Sequence, residues 1–286
     1  MRLLMFFFLA VLLVTGCQSE GGDSKMLPSG FSYVVHKDEP GQTAQPGERA
    51  YFHYNLRIDD SLATTSFTEP IPVSIEIPDT STLGRELQPL EEALMLMSVG
   101  DSLTFSMPMD SIPNAPADFE GAENLNYDLV LVETKTKEQL QSEVDDIGAF
   151  VRETIDQYNA GELDDLQETE SGFKYVIHEA GTGPTPDSTD IVLANYYGAL
   201  VEDGTMFDNS FQRGAPFNFP LKMGQVIQGW DEGFSYLKEG AKATFFIPAP
   251  LGYGAQGSPP VIPGGAELVF YVELVGVIDN PNMPSM

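Results

Sequence analysis

The sequence predicts an α+β fold built twice, as two domains that are each a curved antiparallel β-sheet wrapped on one short helix, joined by a helical linker. Three observations carry this. Ser29-Gly30-Phe31-Ser32-Tyr33-Val34-Val35-His36 returns 142 positions later as Ser171-Gly172-Phe173-Lys174-Tyr175-Val176-Ile177-His178. Each copy alternates strand-like and turn-like stretches around a single helical candidate. Between the copies lies a polar segment with apolar residues at helical spacing. The 286 residues suit this organisation, at roughly 100–200 residues per domain.

The first residues read as a processing signal. Met1-Arg2 is a one-charge leader to the apolar run from Leu3 to Val14. That run is too short for a hydrocarbon core of about 30 Å and fits a secretory signal peptide, residues 1–16. Val14-Thr15-Gly16-Cys17 resembles a bacterial lipoprotein box, with Val where Leu is commoner. Cys17, the only Cys of the chain, is then the expected lipidation site. Two or more acyl chains give stable anchoring. Residues 17–27 read as a lipidated polar tether. Gln18 after the Cys favours, by analogy, export to an outer membrane. The expected location is the cell envelope, anchored by lipid and facing the periplasm, with surface exposure as an alternative.

The first copy is expected over 28–135. Ala50 to Ile58 reads as a strand, and Leu90, Leu94 and Met97 mark one face of a short helix. The linker is expected over 136–168. Leu140, Val144, Ile147, Val151, Ile155 and Tyr158 are spaced helically, and Gly161 is a plausible stop. The stripe fits a helix docked on a neighbouring domain, a coiled-coil seam or a free spacer. Gly148 in its middle counts against a continuous helix. The second copy is expected over 169–280, with residues 281–286 as a tail. Ile191 to Val201 is a strand, Thr244 to Ile247 and Leu268 to Leu274 are central strands, and Trp230, Phe234 and Leu237 share a helix face. Turns of 2–6 residues leave no room for the crossovers of parallel strands, so the sheets are antiparallel.

Composition excludes several functions. Forty-three acids against 14 Lys and Arg, a net charge of −29, disfavour nucleic acid and anionic-lipid patches, which need clustered bases. One Cys forbids an intrachain disulfide, a thiolate zinc cluster or a Cys-X-X-Cys redox pair. The acidity is dispersed, net −15 over residues 17–134 and −8 over 170–286, and reads as a solvated coat.

The second copy carries ordered motifs. Val192-Leu193-Ala194-Asn195-Tyr196-Tyr197-Gly198 leads to Asp203-Gly204-Thr205-Met206-Phe207-Asp208-Asn209-Ser210. Arg213, Pro216-Phe217-Asn218-Phe219 and Val226-Ile227-Gln228-Gly229-Trp230-Asp231-Glu232-Gly233 follow, then Leu251-Gly252-Tyr253-Gly254, Val261-Ile262-Pro263 and Leu268-Val269-Phe270. From about Gly172 to Ile278 this resembles the FKBP-type peptidyl-prolyl cis-trans isomerase family. The resemblance implies an isomerase pocket lined by Tyr196, Phe207, Phe217, Val226, Ile227, Trp230, Tyr253 and Phe270, with Ile262 in the flap. It places Trp230 beneath the proline ring. It gives the Ile227 N–H and the Tyr253 hydroxyl as donors to substrate carbonyls. It sets Asp208 against the twisted carbonyl, held by Tyr196 and Arg213. Ser258 stands in the flap where relatives often carry a larger residue, which bears on substrate preference.

The chemistry agrees with the residue types. Rotating an X–Pro amide crosses roughly 20 kcal/mol without making or breaking a bond, so no nucleophile, metal or cofactor is expected. An apolar pocket favours the less polar twisted amide over the planar one. A carboxylate in such a wall needs hydrogen-bond partners. In the first copy the Phe-Asp position reads Leu62-Ala63-Thr64-Thr65, Leu90 replaces the Trp, and nothing answers Leu-Gly-Tyr-Gly. A domain that keeps the fold without the activity is expected there, with Tyr54 and Tyr127 as core. Proline-containing unfolded or exported polypeptides are the expected partners, with a homodimer as a further alternative. The rival reading is a membrane-anchored holdase or peptide-binding module with incidental isomerase activity.

Overall fold

The computed structural model describes residues 23–79, 81, 83–112 and 121–280. The signal peptide, Cys17 and the 281–286 tail lie outside the described residues.

The first domain contains β1 (Lys25–Met26), β2 (Ser32–Lys37), β3 (Arg49–Ile58), β4 (Ser61–Thr65), β5 (Val73–Glu76), α1 (Pro89–Met95), β6 (Ser102–Pro108) and β7 (Asn124–Lys135). Helix α2 (Lys137–Ala160) follows. The second domain contains β8 (Gln167–Glu168), β9 (Lys174–Glu179), β10 (Ile191–Leu200), β11 (Met206–Asn209), β12 (Phe217–Pro220), α3 (Gln228–Gly233), β13 (Lys242–Ile247) and β14 (Leu268–Ile278). The first sheet runs β1-β2-β6-β7-β3-β4 with β5 also on β3. The second, read from its other edge, runs β8-β9-β13-β14-β10-β11 with β12 also on β10. These are one topology, and every pairing is antiparallel.

The duplication extends to single hydrogen bonds. Ser66 Oγ accepts from the Tyr54 N–H at 2.8 Å, and Ser210 Oγ accepts from the Tyr196 N–H at 2.9 Å. His36 meets Thr104 Oγ1 at 2.8 Å, as His178 meets Thr244 Oγ1. A register shift falls between Tyr51 and Phe52 in β3 and between Leu193 and Ala194 in β10.

Strand alternation buries a core between each sheet and its helix. In the second domain Val192, Ala194, Tyr196, Phe245, Phe270, Val272 and Leu274 meet Trp230, Phe234 and Leu237. In the first, Phe52, Leu103, Phe105, Leu129 and Leu131 meet Ala93, Leu94 and Met97. The helix expected through Leu237 is shorter. It ends at Gly233 and tightens into a single 3-10 turn, Phe234–Tyr236. The backbone at Gly233 lies directly on Phe173 and Phe245, where a Cβ would come within 2.7 Å of each ring, and Phe234 and Leu237 stay fully buried.

Both domains also start earlier than their patterns suggest. Lys25 and Met26 pair with Tyr33 and Ser32, and Leu27 is buried, inside the segment read as tether. Gln167 and Glu168 pair with β9, inside the segment read as linker. Two-residue strands carry no periodicity to detect.

Helix α2 is continuous. Thr136 Oγ1 accepts from the Gln139 N–H at 3.1 Å and Gln139 Oε1 accepts from the Thr136 N–H at 2.8 Å, a capping box. Gly161 closes the helix in the left-handed region, at φ 70°. Val144, Val151 and Ile155 pack on Tyr197, Ala199, Val201, Phe246, Val269 and Tyr271. These strand residues alternate with those facing α3, so α2 covers the opposite face of the second sheet. The stripe is therefore a docked helix. Gly148 does not interrupt it and is itself buried.

Candidate active site

An open cleft of about 590 Å³ lies in the second domain, over the end of α3. Tyr196 reaches it from the core face of β10, Phe207 and Asp208 from β11, and Phe217 from β12. Val226, Ile227 and Trp230 come from the entry to α3 and its first turn, Tyr253 from the loop after β13, and Phe270 from β14. Trp230 forms the floor and is 4% exposed. The rings of Tyr196, Phe217 and Phe270 stand edge-on to it at 5.0, 6.0 and 5.3 Å. Phe207 packs edge-on against Phe270 at 5.4 Å. Such pairs contribute about 0.5–1.5 kcal/mol each beyond the area they bury. Together they hold the walls rigid.

Gly198 permits this wall. A Cβ there would come within 2.7 Å of both Phe207 Cε2 and Phe270 Cε1.

Asp208 is the single charged residue lining the cleft. Arg213 Nη1 donates to its Oδ1 at 2.8 Å. The Tyr196 hydroxyl donates to its Oδ2 and accepts from Arg213 Nη2 at 2.7 Å. The three side chains form a closed triangle, half-open to solvent at Asp208 and Arg213. Burial, then the hydrogen bond to the Asp208 carboxylate, push the Tyr196 phenol up to about 12. Burial works against the Arg213 charge, but its hydrogen bonds to Asp208 and Tyr196 outweigh that and raise the guanidinium above its ordinary value. Burial, helped by the Asp208 charge, raises the Tyr253 phenol. The three groups thus stay O–H, guanidinium and O–H at neutral pH.

Nine of the expected residues meet at this cleft. Arg213 stands behind it and reaches it through Asp208. Ile262, expected in the site, is instead 5% exposed in the core beneath the flap, where Ser258 and Ile262 bridge. Gln225, Gln228, Pro250 and Gly252 also line the cleft. The two Gln flank Val226-Ile227, but nothing in their pattern marked them. The Trp230 indole N–H is buried with no hydrogen-bond partner among the described residues.

The first domain lacks the equivalent parts. Pairing opposes Leu56 to Thr64 as it opposes Gly198 to Asp208. A leucine therefore occupies the glycine position and a threonine the carboxylate position. Tyr127, opposite Phe105 as Phe270 is opposite Phe245, stacks on Phe105 at 4.8 Å. Tyr54, Leu90 and Tyr127 pack against the first core. Among the described residues, no group of three or more His, Cys, Asp or Glu is placed to hold a metal ion.

Residues 183–275 match the family described as FKBP-type peptidyl-prolyl cis-trans isomerase. The chain is 54% identical over 92 residues to peptidyl-prolyl cis-trans isomerase FKBP15-2 of Arabidopsis thaliana, covering 32% of this chain and 56% of that protein. It is 45% identical over 118 residues to FKBP15-1 of the same plant, covering 41% of this chain and 75% of that one. The crystal structure of FkpA from Escherichia coli is similar over 51% of this chain and 67% of that chain, at 35% identity and a TM-score of 0.40. The chain spans about half the length of several curated relatives that it matches. On the match over 183–275 and three-quarters of a relative at 45% identity, the chain belongs to the FKBP-type peptidyl-prolyl cis-trans isomerase family.

Proposed function

We propose that the chain accelerates cis–trans isomerisation of X–Pro bonds in polypeptides, and that the cleft of the second domain is where the reaction takes place. The observation that supports this best is the cleft itself, ringed by aromatic side chains over Trp230 with one carboxylate, Asp208, held from two sides. A proline ring seated on Trp230 loses water. The planar amide, which water stabilises more than the twisted one, is then disfavoured relative to the transition state. As the C–N bond twists, the carbonyl turns towards Asp208, whose charge is already satisfied by Arg213 and Tyr196. The Ile227 N–H and the Tyr253 hydroxyl are the donors that fix the flanking carbonyls. No covalent step is involved.

We further propose that the first domain keeps the fold without the activity, since Thr64, Leu56 and Leu90 supply neither acid, gap nor floor. Export and lipidation at Cys17 rest on the sequence alone. Membrane fractionation of the wild type and Cys17→Ser tests them, with the variant expected in the soluble fraction. Among the described residues no helix is long and apolar enough to cross a membrane.

The test of the activity is a protease-coupled or NMR exchange assay on a prolyl tetrapeptide, with aggregation suppression measured in parallel. The wild type is expected to raise the rate and Trp230→Leu to lose most of it. An inert wild type that still suppresses aggregation would leave the holdase reading.

A further inference from the structure

Arg213 is the last residue of a single 3-10 turn, Phe211–Arg213, which ends at Gly214 in the left-handed region, at φ 60°. Its salt bridge to Asp208 is half exposed, with side-chain exposures of 49% and 50%. An exposed pair of this kind is worth about 0–1 kcal/mol. Arg213 Nη2 adds a 2.7 Å bond to the Tyr196 hydroxyl, and the backbone on either side of Arg213 is set by what packs against the turn.

Both ends are held. On the entering side, Phe211 packs into the cluster under α2, its ring 6.4 Å from that of Tyr271. The Gln212 N–H donates to Asn209 Oδ1 at 2.8 Å, and Asn209 is buried. On the leaving side the partner is the first domain. Ser74 Oγ, on β5, donates to the Gly214 carbonyl at 2.9 Å. Arg49 Nη1, on β3, donates to the same Ser74 Oγ at 3.4 Å. The Arg49 side chain and the Tyr51 hydroxyl lie so close to Gly214 that any Cβ there would collide with both. Arg49 Nε is buried with no hydrogen-bond partner among the described residues. Packing against the turn, not a bond at Nε, sets its place.

We propose that the first domain holds the isomerase site in working geometry, with Ser74 and Arg49 as positioning residues that act through Gly214 on Arg213 and so on Asp208. The inference rests on the reading of Asp208 as part of the isomerase site. A catalytic group held loosely by about 1 Å can lose on the order of a hundredfold in rate, and a half-exposed arginine on a turn held only at its entering end has that latitude. The domain without a cleft of its own thereby contributes to the cleft of its neighbour.

The test uses the full chain. kcat/KM on a prolyl tetrapeptide is measured for the wild type, Ser74→Ala, Ser74→Thr, Asp208→Val and the control Ser106→Ala. Ser106 donates to Asn126 at 2.6 Å within the first sheet, remote from the turn. Like Ser74→Ala, this control removes one part-buried hydrogen bond from a hydroxyl of the first sheet. Emission from Trp230, the single Trp of the chain, reports on the cleft in each variant. Ser74→Ala should lower kcat/KM by roughly tenfold and shift the emission, Ser74→Thr should restore it to within about twofold, and Ser106→Ala should leave both unchanged. Activity of Ser74→Ala equal to wild type, with Asp208→Val impaired, would overturn the positioning role while sparing the site. Equal losses in Ser74→Ala and Ser106→Ala, without rescue by Thr, would overturn it as well. A wild type or Asp208→Val that contradicts the site itself would remove both.

Discussion

Gly148 faces the hydroxyl of Tyr197. A Cβ at this position would come within 2.9 Å of Tyr197 Oη and 3.3 Å of Cζ. In the middle of a 24-residue helix, glycine costs about 1 kcal/mol relative to alanine, yet here its lack of a side chain lets α2 rest on the second sheet. Gly148→Leu should destabilise the chain by about 1–3 kcal/mol through overpacking. A lowered midpoint in thermal or urea unfolding checks this. At an exposed helical position the same replacement would stabilise.

The docked helix also sets the smallest unit that should fold. A fragment of residues 165–286 strips α2 from Tyr197, Val201, Phe246, Val269 and Tyr271. Burial of each such large apolar side chain is worth about 1.5–3 kcal/mol. A fragment of residues 136–286 keeps the helix with its Thr136 cap. The longer fragment should unfold in one cooperative step. The shorter should bind a hydrophobic dye and melt broadly, and a shorter fragment that melts as sharply as the longer would show the helix to be dispensable.

Gly198→Ala tests the wall of the cleft. Its Cβ would press on Phe207 and Phe270, and the rings cannot both yield without opening the floor around Trp230. Overpacking of this kind costs about 1–3 kcal/mol. Activity should fall by more than the change in folded fraction explains, as read by kcat/KM beside the unfolding midpoint.

The raised tyrosines predict the alkaline behaviour. Burial, then the hydrogen bond to the Asp208 carboxylate, push the Tyr196 phenol from its ordinary 10.0 up to about 12. The folded state therefore holds its proton where the unfolded state has lost it. The stabilisation is complete below about pH 10 and is lost as pH rises towards 12. Tyr197, Tyr253 and Tyr271 are raised too, each chiefly by burial, so the loss is shared. Melting midpoints should fall steeply between pH 10 and 12 and less so in Tyr196→Phe. Below pH 10 the Tyr196 phenol stays protonated, and kcat/KM should be flat from neutral pH to that point.

Much of this was legible in the sequence, for physical reasons. The repeat at offset 142 fixed a shared topology, because residues such as Tyr54 and Tyr196 occupy the same register of equivalent strands. The spacing of Val144, Val151 and Ile155 specified a helix with one apolar face. It did not say which surface that face meets, since periodicity describes one element at a time. Gly148 read as a breaker for the same reason. The cleft was visible in its aromatic and acidic residues, whereas Gln225, Gln228, Pro250 and Gly252 reach it through loop conformation. Ile262, near the flap in sequence, packs in the same core cluster as Trp230, Tyr196 and Phe270, and its place relative to the cleft depends on the flap's conformation. The Ser74–Gly214 contact joins residues 140 apart in different domains, and no local pattern encodes it.

The most direct test of the central claim, that the second-domain cleft is the isomerase site, is kcat/KM of the full chain with Asp208→Val. Asp208 is half exposed, so the variant should fold with a near wild-type melting temperature. A fall of at least about tenfold, equivalent to roughly 1.4 kcal/mol of barrier, is the predicted result. A folded Asp208→Val chain with wild-type kcat/KM would contradict it.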